Sequence, residues 1–486
     1  MNIKQVATAV AVMGSSLSLM AQNQPEIKIY SGLRDTIHTA ETTVVAVTEP
    51  GATATVNGTP VHVYKTGSFG TKVALQPGDN TVVIEATRDG KTNTVKRTIF
   101  YQDKLNANKQ VAKQQDEQTV FFTNPIYVTT TPGAYLQYGN GDDRLGGSKM
   151  GFLDADIPLK VIGEAGSLYC VRLASTRLAY IPKSYTQPAV TAPSVVNTGS
   201  WSVADTGKSD RVTVGLPCRL PYQYSTSINP QVITIDIFGA TDNSNWITQR
   251  TATLGIIDFV DFEQLADDVY RVTLRLKDKY QWGYSVHYEG NNLVVDVRHR
   301  PVSLNLRDLT IGLDAGHGGE FPGAISPSGI KEKDVNLDIV MRIRELLEKK
   351  GAKVVLTRDS DTGPSMSDRK KTWREANVDL AISVHNNAGG SALSSPGTAV
   401  LYKHLSNRPL GQMVLARLLE TGLPLFGLVE NFNFSLNAPT ECPNVLVEGM
   451  FMSSLEEEEK LADPSFRQLV AEKIVAAIED YLKSAK

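Results

Sequence analysis

The pattern of apolar residues changes at about Asn305, and this change restricts the fold more than any other feature of the chain. Upstream, short alternating runs bounded by turn residues recur again and again. TATV-NG-TPVHVY sets Asn57-Gly58 between two such runs, and a second hairpin is expected at Asp89-Gly90. Asn-Gly and Asp-Gly supply the positive φ angles that a two-residue hairpin turn needs. Downstream, the apolar runs DLTIGLDAG, AKVVLTR, DLAISVH, GTAVLYK and NVLVEGM alternate with helical segments. In EKDVNLDIVMRIRELLEKKG, residues Val335, Ile339, Ile343 and Leu346-Leu347 recur on one face, and Gly351 is a suitable stop. Further helices are expected near Ser367, near Asn407 and from Asp463 to about Ser484. The reading is a multidomain chain: N-terminal all-β modules, then an α/β domain with a mostly parallel sheet covered by helices.

At 486 residues the chain has room for about three domains of roughly 150 residues each. The formal charge of −3 leaves no basic footprint, so nucleic acid is excluded as the main partner. Three cysteines, Cys170, Cys218 and Cys442, are too few and scattered for a disulfide framework or a CxxC knuckle. A short basic start, an apolar stretch from Val6 to Met20 and Ala21 form a signal-peptide pattern over residues 1–21. Nothing later approaches about 20 continuous apolar residues, so no transmembrane segment is expected. The protein is expected to be exported, to the periplasm or cell envelope. Polar linkers are expected at residues 102–118 and in TQPAVTAPSVVNTGS, and Glu456 to Glu459 reads as a solvated helix start.

The candidate chemistry lies where ligands bind in such sheets, beyond the carboxyl ends of the strands. His317 follows the first strand in DAGHGG, and His385 ends the third in SVHNN. Glu448 closes the last strand, NVLVE, and Glu332 opens the first helix. Two imidazoles and one carboxylate form a known catalytic zinc set with the fourth position left open. Amide hydrolysis needs such help, because zinc lowers the pKa of bound water from about 15.7 to about 7 and polarises the carbonyl. A neighbouring carboxylate adds about 10²- to 10⁴-fold as general base and acid. Singly, each residue also has an ordinary reading, as a hydrogen-bonding histidine or a helix-start charge; their convergence favours a metal site.

TIGLDAGHGGEFPGA, KEKDVNL, VVLTRDSD, DLAISVHNN and VLVEGMF, in this order, resemble the zinc-dependent N-acetylmuramoyl-L-alanine amidases over residues 305–486. The resemblance implies that His317, Glu332 and His385 bind Zn²⁺ and that Glu448 is the general acid/base. It implies cleavage of the amide between N-acetylmuramic acid and L-alanine of the stem peptide, with peptidoglycan as partner and an envelope activator protein as a second. Arg369 and Ala376-Asn377 match the family's R and AN, and are read as structural. Glu448-Gly449-Met450-Phe451 shifts the family's glycine, and Asn386 replaces a small residue. Little room is left between His385 and Glu448 for an inhibitory helix, so an open cleft is expected unless an N-terminal module covers it. Residues 25–101 resemble bacterial immunoglobulin-like modules, 119–185 a bacterial Src-homology-3-like barrel, and 200–300 an AMIN-type targeting domain. The alternatives are a non-catalytic wall-binding protein and a zinc peptidase acting within the stem peptide.

Overall fold

A computed structural model describes residues 24–103, 118–141, 147–244 and 246–486. The expected signal peptide and most of the first linker lie outside the described residues. Two compact units are present, Met1–Gln102 and Asp103–Lys486.

In the first unit, a three-stranded and a five-stranded sheet face each other. Val44, Ala46 and Phe69 of one meet Val82, Ile84 and Ile99 of the other in a common core. Both hairpins form as expected: Val56 pairs with Thr59 and Arg88 with Lys91, with positive φ at Asn57, Gly58, Asp89 and Gly90.

The second unit begins with a seven-stranded antiparallel sheet spanning Val120–Thr130 to Thr186–Ala189. Thr186–Ala189 pairs with Val120–Thr130, so the start of the expected second linker is in fact an edge strand. Sheets of five and four strands follow within residues 201–298, and one apolar core runs from Val128 to Val297 through all three sheets.

The last domain is a six-stranded sheet. Its strands are β1 (Thr310–Ala315), β2 (Lys353–Leu356), β3 (Leu380–Asn387), β4 (Thr398–Leu401), β5 (Leu425–Val429) and β6 (Asn444–Phe451). Their order is β2-β1-β3-β6-β4-β5. Every neighbouring pair is parallel except β4 with β6, which is antiparallel. The helices are α1 (Glu332–Lys349), α2 (Met366–Glu375), α3 (Arg408–Leu419), α4 (Leu455–Ala462) and α5 (Pro464–Ser484). Apolar residues of α1, α3 and α5 pack with Ile311, Leu313, Ile382 and Val447 on one face of the sheet. The other face carries less helix. Trp373 of α2 and Leu436 pack over Ala381, while Phe432 and Phe434 pack over Ala399, Leu401 and Leu446.

The acidic run contradicts its expected solvation: Glu457 and Glu458 are fully buried in α4. Glu457 accepts hydrogen bonds from Ser395 Oγ (2.7 Å), Gly397 N (2.6 Å) and Phe451 N (2.5 Å). Glu458 accepts one from Ser328 N at 2.7 Å. Backbone donors from distant segments hold these carboxylates inside, which local charge patterning does not reveal. Glu457→Leu leaves those donors unpaired, and urea unfolding should show a loss of about 3 kcal/mol.

The last domain is tied to the sheets before it. Arg298 donates to the Val378 carbonyl at 2.6 Å and pairs with Asp379, while Tyr280 stacks on Tyr481 at 5.0 Å. Half-buried His404 sits at the same junction. Its Nε2 lies 2.9 Å from the Ala438 carbonyl and its ring 6.2 Å from that of Tyr224. Burial pushes its pKa from 6.5 down to about 4. The unfolded chain therefore binds the extra proton first, and stability falls as pH drops from about 6.5 to about 4. Discounted for the ring's partial exposure, the loss is about 2 kcal/mol. Urea midpoints at the two pH values should separate less in His404→Gln; an unchanged separation would contradict this.

Candidate metal centre

The site begins where β1 ends. Asp314, fully buried, accepts Arg369 Nη1 (2.6 Å), Thr357 Oγ1 (2.5 Å) and Ser383 Oγ (2.6 Å). Two buried guanidiniums then fix the turn that follows. Arg369 donates to the carbonyls of Ala315 (2.9 Å) and His317 (2.7 Å), and Arg358 to those of Ala315 (2.8 Å) and Gly316 (3.0 Å). His317 is held at φ +62°, a conformation that non-glycine residues adopt only when their surroundings impose it.

Glu332 opens α1 with its carboxylate buried. His317 Nε2 lies 3.1 Å from Oε2, and His385 Nδ1 lies 3.1 Å from Oε1. The Ala324 amide donates to Oε2 at 2.9 Å, and the Asn386 amide to Oε1 at 3.1 Å. Burial opposes the charge on Glu332, but the two histidines outweigh it and hold the carboxyl far below its usual range. Burial likewise opposes protonation of His385, yet the bond to Glu332 and the charges of Glu448, Glu332 and Asp314 raise its pKa.

The donor atoms of His317, Glu332 and His385 all lie within 4.8 Å of one another. Tetrahedral zinc with bonds of about 2.0–2.1 Å spaces its ligands roughly 3.3 Å apart, so this set is near the required spacing. The surrounding backbone is also cut to fit. A Cβ on Gly316 would stand 2.2 Å from His385 Cε1, and one on Gly323 2.4 Å from Glu332 Oε2. Gly316→Ala should therefore displace the His385 ring and weaken zinc binding about 10- to 100-fold in a chelator competition. Retention of native affinity would contradict the fit.

The structure brings together all four residues singled out from the sequence. Glu448 does not end its strand, since β6 continues to Phe451, but it stands in register with His385 on β3 and Ala399 on β4. The Phe434 ring borders His385 at 6.4 Å. Arg369 has the structural role expected, whereas Arg358 and Asn336 escaped the sequence reading. Asn336 donates to the Gly316 carbonyl and to Glu332, both at 3.2 Å, and accepts Asn386 Nδ2 at 2.8 Å. Asn386 Oδ1 in turn accepts the Met450 amide, and a Cβ on Gly449 would lie 3.0 Å from it. The two departures from the family pattern thus touch each other. A second cluster, Asp205, Asp210 and His299, is a structural anchor, since Asp210 already accepts the amides of Gly255, Ile256 and Ile257.

Residues 311–480 match the N-acetylmuramoyl-L-alanine amidase family model. The last domain of the chain belongs to the N-acetylmuramoyl-L-alanine amidase family. Residues 201–297 match the AMIN domain, which places this amidase domain after an AMIN domain in one multidomain chain. The chain is 32% identical over 221 residues to the N-acetylmuramoyl-L-alanine amidase AmiC of Escherichia coli O6:H1, across 36% of this chain and 53% of that protein. It is 29% identical over 227 residues to AmiC of Neisseria meningitidis serogroup B, across 37% of this chain and 54% of that protein. The chain spans about half the length of these curated relatives. Among solved structures, the catalytic domain of the amidase CwlV from Bacillus (Paenibacillus) polymyxa is 30% identical, with a TM-score of 0.35, across 37% of this chain and 99% of that one.

Proposed function

We propose that this chain is an exported peptidoglycan hydrolase cleaving the amide between N-acetylmuramic acid and L-alanine of the stem peptide. His317, Glu332 and His385 would hold one Zn²⁺, and Glu448 would be the general base and acid. The observation carrying this reading is the three-donor cluster with Glu448 in register beside it. Bound there, zinc would polarise the scissile carbonyl and make water nucleophilic at neutral pH. Glu448 takes the proton from the attacking water at its carboxylate and passes it to the nitrogen leaving with L-alanine. Arg369 and Arg358 hold the His317 turn, and the Ala324 and Asn386 amides orient the Glu332 carboxylate. The AMIN domain and the other β-modules would keep the enzyme at the wall, in the periplasm or envelope. An envelope activator protein belongs to the same reading as a second partner.

Digestion of purified sacculi, with and without a chelator, followed by mass spectrometry tests it. New L-alanine amino termini on intact glycan chains, lost with the chelator, are expected. Released D-alanine would indicate a peptidase within the stem, and unaltered sacculi a binding protein.

A further inference from the structure

Beyond the metal cluster, three lysines from separate segments come together: the Lys403 ammonium bonds Asn433, the residue before Phe434, and the Lys149 and Lys370 ammoniums lie over neighbouring aromatic rings. Lys149 opens the strand Lys149–Phe152 of the seven-stranded sheet, Lys370 lies in α2, and Lys403 follows β4. Lys403 Nζ donates to the Lys149 carbonyl (2.9 Å) and to Asn433 Oδ1 (3.0 Å). The same Oδ1 accepts the Lys149 amide at 3.3 Å, and Asn433 Nδ2 donates to the Gly147 carbonyl at 3.3 Å. Aromatic rings flank the amines: Lys149 Nζ is 4.8 Å from the Tyr135 ring centre, and Lys370 Nζ is 5.7 Å from that of Phe152.

All three lysines are half-buried, and the charge of Lys149 opposes those of Lys370 and Lys403. Burial and the charge of Lys149 push Lys403 down to about 8. Burial, then Lys149 and Arg374, lower Lys370 against the opposing pull of Glu441, and burial lowers Lys149. Glu441 itself is paired with Arg374 at 3.0 Å. Among the described residues, no carboxylate lies within 4.0 Å of any of the three amines. Partly desolvated like charges with no carboxylate beside them among the described residues favour binding of an anion.

We propose that Lys149, Lys370 and Lys403 form a subsite for a free carboxylate of the stem peptide, shared between the seven-stranded sheet and the amidase domain. This rests on the peptidoglycan reading above. Phe434, whose ring centre lies 6.4 Å from that of His385, directly follows Asn433, and Lys403 lies four residues past Ala399, which is in register with Glu448, about 13–14 Å away at 3.3–3.6 Å per residue. A stem peptide extended over three residues spans roughly 10–11 Å, and the length of a lysine side chain covers the remainder. The sheet before the AMIN domain thereby supplies part of the substrate cleft and selects peptides by charge.

The test is calorimetric binding of two synthetic stem tripeptides to the full chain, one with free carboxylates and one with every carboxylate amidated. Neither contains the scissile bond, so binding is read whether or not the chain is an amidase. The free form should bind native protein more tightly, with an advantage that shrinks as salt rises. In the double variant Lys149→Gln/Lys403→Gln, affinity for the free form should fall about tenfold while that for the amidated form stays. Glutamine at 403 keeps a donor for Asn433. Equal affinity of the two forms for native protein, or an equal fall of both in the variant, would overturn the proposal. Charge-selective binding together with unaltered sacculi would instead leave the subsite standing and reject the amidase reading.

Discussion

Glu448→Gln is expected to slow release of L-alanine termini by about 10³-fold while zinc is still bound with near-native affinity. The amide nearly preserves the shape of the side chain, but it has lost the basic oxygen that accepts a proton from water. Glu448 lies outside the three-donor cluster, so metal retention should separate a proton-transfer role from a ligand role. It stands in register with His385 across β3 and β6, two central strands, so the substitution should leave the fold intact. Turnover on purified sacculi, paired with zinc competition against a chelating dye, checks both halves. Native turnover in the variant would remove Glu448 from the mechanism, and lost zinc would make it a ligand.

Arg369→Met should have the largest effect on stability, about 3–5 kcal/mol by urea unfolding. Arg369 is 1% exposed and its guanidinium serves Asp314, Pro364, Ala315 and His317 together. Removing it leaves the Asp314 carboxylate buried with only the hydroxyls of Thr357 and Ser383 as described donors, and it releases the turn that holds His317 at positive φ. Lysine should rescue only part of the loss, because a single ammonium cannot reach oxygens spread over so many directions. A penalty below about 1 kcal/mol would show that the turn does not depend on this residue.

Much of this architecture is legible in local patterns. The Asn57-Gly58 and Asp89-Gly90 hairpins follow from residues that tolerate positive φ. The strands of the last domain follow from short apolar runs, and α1 from a helical repeat stopped at Gly351. His317, Glu332 and His385 could be picked out together because a parallel sheet carries its ligands at one edge. What escaped depends on partners far away in the chain. Burial of Glu457 is decided by the Ser395 hydroxyl and the Gly397 amide, and that of Arg358 by carbonyls at Ala315 and Gly316. The antiparallel placement of β4 against β6 reverses one pairing that apolar runs cannot orient. The Asn336–Asn386 pair is equally silent: Asn386 stood out only as a departure from the family pattern, and nothing local pairs it with Asn336 fifty residues away.

The proposed chemistry depends on one zinc ion held by two imidazoles and one carboxylate. X-ray absorption at the zinc edge of the full chain, with metal content measured alongside, tests it most directly. One zinc per chain is expected, with only nitrogen and oxygen neighbours at about 2.0–2.1 Å and the outer scattering of two imidazoles. Sulfur at about 2.3 Å, or an unchanged spectrum in a chain carrying both His317→Ala and His385→Ala, would contradict it.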